Sequence, residues 1–387
     1  MAVYKIFPEK DAAIYSLFPQ MNTGIDEILD LSNLNLASNT SAQVSRALIK
    51  FNQGAINDIF STYIKNSKWA SNLKLFIATA QSINVDYEAY VYPVSGAWGM
   101  GTGKYLDNPP STDGTSWKWR TYAGVGGGAI AWTGSGFTAG VTASYSGSNI
   151  GGGNWYTGST HVLPVTASQL FSYHSNKDLN VDVKGIVSAW YSSSNNIGSG
   201  TNIINEGFIV KWEDSVEFNQ TKAVQPVLQY YSVDTHTIYP PTLELKWNDF
   251  TFNTGSSTQT ILTDPQAYIS IENNEGFFYS SSIQQFRVDS RPQYPPIIFQ
   301  TASIYTTNYY LPSGSSYWAI KDLDTNEYVI NFDSTYTQIS ADATSSFFTV
   351  YMNGLQPERY YTILIQTTIG GTTRVFDSNY NFKVING

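Results

Sequence analysis

The sequence predicts an all-β protein made of antiparallel sandwiches, and three observations carry that prediction. Apolar residues recur with period two in short runs, as in Tyr87–Tyr92 and Leu243–Trp247, the pattern of a strand with one buried face. Aromatic residues make up 15% of the chain and charged residues only 13%, well below the usual share, with Tyr, Ser, Thr, Asn and Gly abundant. Gly and Pro clusters punctuate the runs. A length of 387 residues exceeds one ordinary core and implies two or three domains.

Taken in order, Asp11–Ser16 and Ile28–Leu31 read as short strands around the turn-rich Phe18–Gly24, and Ser45–Phe51 as a third strand. Ile56, Ile59, Phe60, Tyr63 and Ile64 recur at helical spacing, so 55–65 is expected to be a short amphipathic helix. Leu73–Ile77 and 85–92 return to strand. The second of these ends at Pro93–Trp98, before the glycine-rich Gly99–Gly103 and then Ser116–Trp119. Residues 124–158 form a glycine-rich insertion with weak strands. Val181–Val183 starts as a strand, then Val183, Ile186, Val187 and Trp190 fall on one helical face, with Trp190 expected to plug the core. Asn205–Trp212, Leu228–Ser232 and Leu243–Trp247 are strands.

Several of these pieces, in this order, resemble the DNRLRE family of carbohydrate-binding-like β-sandwich modules. The resemblance rests on Asp11-Ala12, Ser16, Pro19, Asn22 and Gly24, on the Arg46–Phe51 strand, and on the strand-then-Trp98 step. It continues in Val181-Asp182-Val183 with Val187 and Trp190, in Gly207-Phe208, and in the Pro241–Trp247 strand. It covers roughly residues 5–250 and implies a jelly-roll-like sandwich used in adhesive proteins. Members commonly carry an export signal, which the start of this sequence does not resemble, and the 124–158 insertion has no counterpart in the pattern.

Two Tyr-Pro-Pro sequences, at 239–241 and 294–296, mark entries into new strands or domains, since Pro cannot donate to a ladder. Strands are expected at Ile297–Phe299, Ser316–Ile320, Tyr328–Phe332, Phe347–Met352, Tyr360–Gln366 and Phe382–Ile385. Gly354–Tyr361 resembles the corner of fibronectin type III and other immunoglobulin-like domains, where a Leu and a Pro precede a Tyr whose hydroxyl closes the turn. The expected organisation is therefore a jelly-roll-like module over 1–250, a connecting segment over 251–295 and an immunoglobulin-like sandwich over 296–387.

Composition narrows the chemistry. A net charge of −9 argues against a nucleic-acid partner, because phosphate binding needs Lys and Arg. No run of about 18 apolar residues exists for membrane insertion, and without Cys neither disulfides nor thiolate sites are available. The three histidines, His161, His174 and His236, are scattered, and no Gly-x-Ser-x-Gly elbow occurs. His236 reads as a loop residue even with Asp234 close in sequence. Gly124–Ala129 matches a dinucleotide fingerprint only superficially, since no helical stripe follows. No cofactor is expected. Asp322–Glu327 alternates oxygen side chains in the manner of half a calcium loop, but its place between strands favours a hairpin turn over a structural Ca²⁺.

The tryptophans carry the remaining functional signal. Trp117, Trp119, Trp132 and Trp155 are the candidate glycan or protein contacts, weighed against simple core filling. The start Met1–Pro8, the Trp98–Gly103 run and Asn353–Tyr361 also look like virion structural proteins of contractile-tailed phages infecting cyanobacteria. That resemblance implies a non-enzymatic component of a tail, neck or baseplate, made in the host cytoplasm, oligomeric within the particle and partnered by other virion proteins. The alternative is an adhesin module binding host-surface glycan.

Overall fold

The structure, a computed structural model, describes residues 2–34, 43–106, 113–124, 127–132, 141–143, 151–156, 165–197, 203–217, 226–255, 260–294 and 309–387. Strands dominate it, in several mainly antiparallel sheets. The chain forms two compact units. The larger comprises Ile6–Tyr63 and Ala70–Glu244; the smaller comprises Met1–Lys5, Ile64–Trp69 and Leu245–Gly387.

The larger unit is built on an eight-stranded sheet. Its order runs Ala167–Phe171, Tyr87–Pro93, Phe208–Trp212, Gln43–Phe51, Ile28–Leu34, Val227–Tyr231 and Ile77–Gln81, with Pro8–Tyr15 also paired to Gln43–Phe51. Register puts Ile209 opposite Leu48 on one side and Tyr92 on the other, with Lys211 opposite Tyr90. Because side chains alternate, Ile14, Leu48, Arg46, Ile209, Lys211 and Tyr92 share one face. Phe208, Val210 and Trp212 point to the other, where Trp190 packs against Phe208 with ring centroids 4.6 Å apart.

Trp190 belongs to the helix Lys184–Ser194, whose Ile186, Val187 and Trp190 are buried as the 3.6-residue spacing anticipates. The expected 55–65 helix is an α-helix over Gln53–Ile59 continued by a π-helical turn over Phe60–Ile64. Asn52 caps it, its side chain accepting from the Ala55 N–H. Phe60 stacks on Tyr191 at 4.5 Å and so joins the two helices. The run expected as one strand at Leu73–Ile77 divides at Phe76. Trp69–Leu75 pairs with Leu179–Asp182, and Ile77–Gln81 joins the large sheet.

The smaller unit is a sandwich. One sheet contains Thr260–Ile261, Tyr309–Tyr310, Ile283–Pro292, Ser346–Tyr351 and Ser340–Ala341, with Ala267–Glu272 on Ile283–Pro292. The other runs Phe277–Tyr279, Thr372–Ile385, Arg359–Ile369, Ser316–Asp322 and Tyr328–Ile330. Between them lie Phe286, Trp318, Phe348 and Phe382, with Trp318 stacked on Phe348 at 5.1 Å. The 251–295 segment is therefore not a connector. Ile269, Ile271, Phe286 and Val288 alternate in its strands and feed this core. The expected Ile297–Phe299 strand lies outside the described residues.

One local expectation is met at a single hydrogen bond. Tyr361 is buried and its hydroxyl donates to the Gln356 carbonyl at 2.9 Å, closing the turn before its strand. Gly370 and Gly371 have φ of +58° and +80°, the left-handed pair that a tight two-residue hairpin needs.

Candidate functional site

The most unusual chemistry lies on the Arg46 face of the large sheet. Beyond Pro93 the chain leaves the sheet and comes back across that face, bringing down Trp98, Trp117, Trp132 and Trp155, which are 3%, 1%, 0% and 3% exposed. They pack with Ala12, Ile14, Leu48 and Ile209 into one cluster. By area alone, burying such a side chain stabilises by about 4–6 kcal/mol as an upper bound. This segment is an aromatic cap.

Under the cap sits a buried ionic group. Arg46 donates from Nε and Nη2 to Glu217 at 3.1 and 2.6 Å, and from Nη1 to the Gly152 carbonyl at 2.6 Å. Lys211 Nζ lies 3.1 Å from the same Glu217 carboxylate. The guanidinium is 4.9 Å from the Trp117 ring and 5.1 Å from that of Trp155, so its faces meet π-clouds while its edge is hydrogen-bonded. All three charged residues are at most 1% exposed. A buried charge of this kind persists only when paired and hydrogen-bonded; Glu217 supplies the pairing, and the Arg46 bond to Gly152 with its Trp117 and Trp155 contacts fastens cap to sheet.

The glycines of the insertion serve close approach. A Cβ on Gly151 would lie 2.2 Å from the Trp117 carbonyl oxygen, and Gly152 N–H donates to that same oxygen at 2.6 Å. Asn22 fastens the other rim. Its Nδ2 donates to Met100 O and Thr115 O, each at 2.7 Å, and its Oδ1 accepts from Gly24 N and Gly103 N.

Trp119 has a different position from its neighbours. It lies on the ribbon formed by Trp119–Tyr122 and Ala129–Ala131, where the register shifts just after it. The ring is partly exposed, stacks on Tyr122 at 6.1 Å and 18°, and carries the Lys118 ammonium 4.5 Å above it. Of the four tryptophans expected as contacts, Trp117, Trp132 and Trp155 are corrected to cap core, because a ring sealed from water cannot stack on a ligand. Trp119 alone of the four is partly exposed. Trp98 and Trp190 are both buried, but on opposite faces of the sheet.

Other candidate positions resolve into local structure. The Asp322 carboxylate accepts from the N–H groups of Asp324 and Thr325, each at 2.9 Å, and from Arg359 at 2.6 and 2.7 Å. Its oxygens are therefore engaged by the N–H donors of a hairpin turn and by a guanidinium. His236 is 89% exposed and 3.6 Å from Glu27, not paired with Asp234. His174 stands edge-on to Tyr173, and His161 lies outside the described residues. Among the described residues no three His, Cys, Asp or Glu side chains converge on a metal position. Asp11 is 1% exposed, and burial pushes its pKa up to about 8 against the opposing Val233 N–H bond, with Asp234 adding to the rise. It bridges strand to loop through that bond at 2.7 Å.

Sequence reasoning placed Arg46 and Lys211 only as strand residues and did not single out Glu217. The available signal was Lys211 inside the apolar Phe208–Trp212 and Arg46 in the interior of the largely apolar Val44–Ile49, placements that demand a buried partner. No family model, curated protein or solved structure matches the chain.

Proposed function

We propose that the protein is a non-enzymatic structural component of a tailed-phage particle, decorating or joining tail, neck or baseplate parts through its β-sheet surfaces and oligomeric once assembled. The observation that carries this reading is the use made of the Arg46–Glu217–Lys211 group. Side chains of the kind that bind or transform substrates are sealed under four tryptophans and act as a fastening. The likeness of Met1–Pro8, Trp98–Gly103 and Asn353–Tyr361 to phage virion proteins supports the particle assignment. Mass spectrometry of purified particles, with cryo-EM of wild-type and gene-deleted particles, tests it. A stoichiometric copy number and a missing density in the deletion are expected; absence from purified particles overturns the reading.

A second reading, host-glycan binding by the larger unit, is favoured by one observation: the partly exposed Trp119–Tyr122 pair with Lys118 beside it. On a host-polysaccharide array, Trp119→Ala is expected to abolish any signal that the wild type gives. A wild type with no signal ends this reading.

A further inference from the structure

The smaller unit presents a second aromatic surface. Phe278, Val384, Phe382 and Tyr361 face its core, so the alternate residues Phe277, Lys383 and Tyr360 face outward. Register places Phe277 opposite Lys383, and Lys383 opposite Tyr360. The row extends one strand further, where Leu323 N–H donates to Tyr360 O at 2.9 Å. Phe277, Tyr360 and Leu323 are 52%, 49% and 42% exposed. Lys383 lies between the two aromatic rings, its ammonium 5.8 Å from that of Tyr360 and paired with Glu358. Tyr279, 52% exposed, stands in the next row.

Size and composition decide what fits this row. Three strand intervals at about 4.8 Å make a strip of about 14 Å, the length of about three pyranose rings end to end. Taking ~200 Å² for a whole aromatic side chain, the row offers roughly 300–400 Å². A stable protein contact needs ~800 Å² on each partner. Protein-interface cores are also depleted of Lys, yet Lys383 occupies the middle of this one. Exposed aromatic rings on either side of an ammonium that is paired with a carboxylate suit a ligand with apolar C–H faces and hydroxyl edges. The side chains offer no cluster of cations for a phosphate or sulfate.

We propose that Phe277, Lys383, Tyr360 and Leu323 form a binding platform for a neutral hexopyranose chain, the aromatic rings stacking on sugar faces and Lys383 with Glu358 bonding hydroxyls. This site lies in the smaller unit and is independent of the Trp119 reading.

The test is isothermal titration calorimetry of the full chain with cellohexaose, chitohexaose and mannohexaose. At least one hexaose is expected to bind. Tyr360→Ala and Phe277→Ala should each weaken it about tenfold, while Tyr360→Phe, which keeps the ring, should leave it within about twofold. The mutated side chains are about half exposed, so circular dichroism melts should coincide with wild type and separate lost binding from lost fold. No binding of any hexaose at millimolar concentration overturns the proposal. So does binding that survives both alanine variants, or self-association by light scattering that Tyr360→Ala abolishes without any sugar binding.

Discussion

The aromatic cap of the larger unit and the aromatic row of the smaller one use the same residue types to opposite ends. In the cap, Trp117, Trp132 and Trp155 close over charged groups and are lost to solvent. In the row, Phe277 and Tyr360 lie open on the outer face of a sheet whose inner face is already filled. The difference teaches that aromatic richness signals neither core nor site. What separates them is whether another segment of chain crosses the face on which the ring stands.

Stability measurements sharpen this contrast, the largest effect coming from the ionic group. Glu217→Ala leaves Arg46 and Lys211 buried without their shared anion and should destabilise by about 3–5 kcal/mol. Trp117→Ala should match it at about 3–5 kcal/mol, whereas Phe277→Ala should fall within about 0.5 kcal/mol. Urea unfolding reads all three. Equal effects of Trp117→Ala and Phe277→Ala would erase the distinction between cap and row.

Two carboxylates, one in each unit, respond to acidity with opposite signs. Asp11 has a folded pKa of about 8, above the ~4 of an unfolded Asp. The unfolded chain therefore releases this proton first. The stability from Asp11 is complete below pH ~4, declines as pH rises and is gone above pH ~8, a change on the order of a few kcal/mol. Asp342 in the smaller unit behaves oppositely. Its bond with Arg287 holds it down at about 2, so its contribution is present above pH ~4 and lost toward pH ~2. Thermal melts from pH 4 to 8 should show a downward slope that Asp11→Asn reduces, Asp30, pushed up by burial to about 7, contributing part of the remainder; an unchanged slope refutes the assignment.

Gly151→Ala should cost about 1–3 kcal/mol, because the added methyl meets the Trp117 carbonyl oxygen and the backbone must shift. An increase in Trp fluorescence quenching by acrylamide would report the cap loosening. Tyr361→Phe, which removes only the hydroxyl bond to Gln356, should cost about 1 kcal/mol by urea unfolding.

Much of the fold was legible locally. The period-two runs at Tyr87–Tyr92 and Phe208–Trp212 became strands, the helical stripe at Ile186, Val187 and Trp190 became a helix, and the Gly370-Gly371 pair became a hairpin turn. Errors came where a local cue was read too broadly. The Tyr-Pro-Pro pairs suggested a connector over 251–295, although Ile269, Ile271, Phe286 and Val288 already alternated as sheet residues. The candidate site was mostly illegible. Arg46 meets a carboxylate 171 residues away, and Asn22 holds carbonyls 78 and 93 residues away.

From its sequence alone this protein is all-β, with specified strands, turns and a closing tyrosine. Those features depend on side-chain alternation and backbone preference within a few residues. Alternation assigns Trp117 and Trp119 to one side of the chain, or Phe277 and Tyr279 to one side of a strand, but it is equally satisfied by a face that meets water and a face that meets a cap. Only tertiary structure decided between them, because the cover is delivered by sheet order and by contacts between segments far apart in the chain.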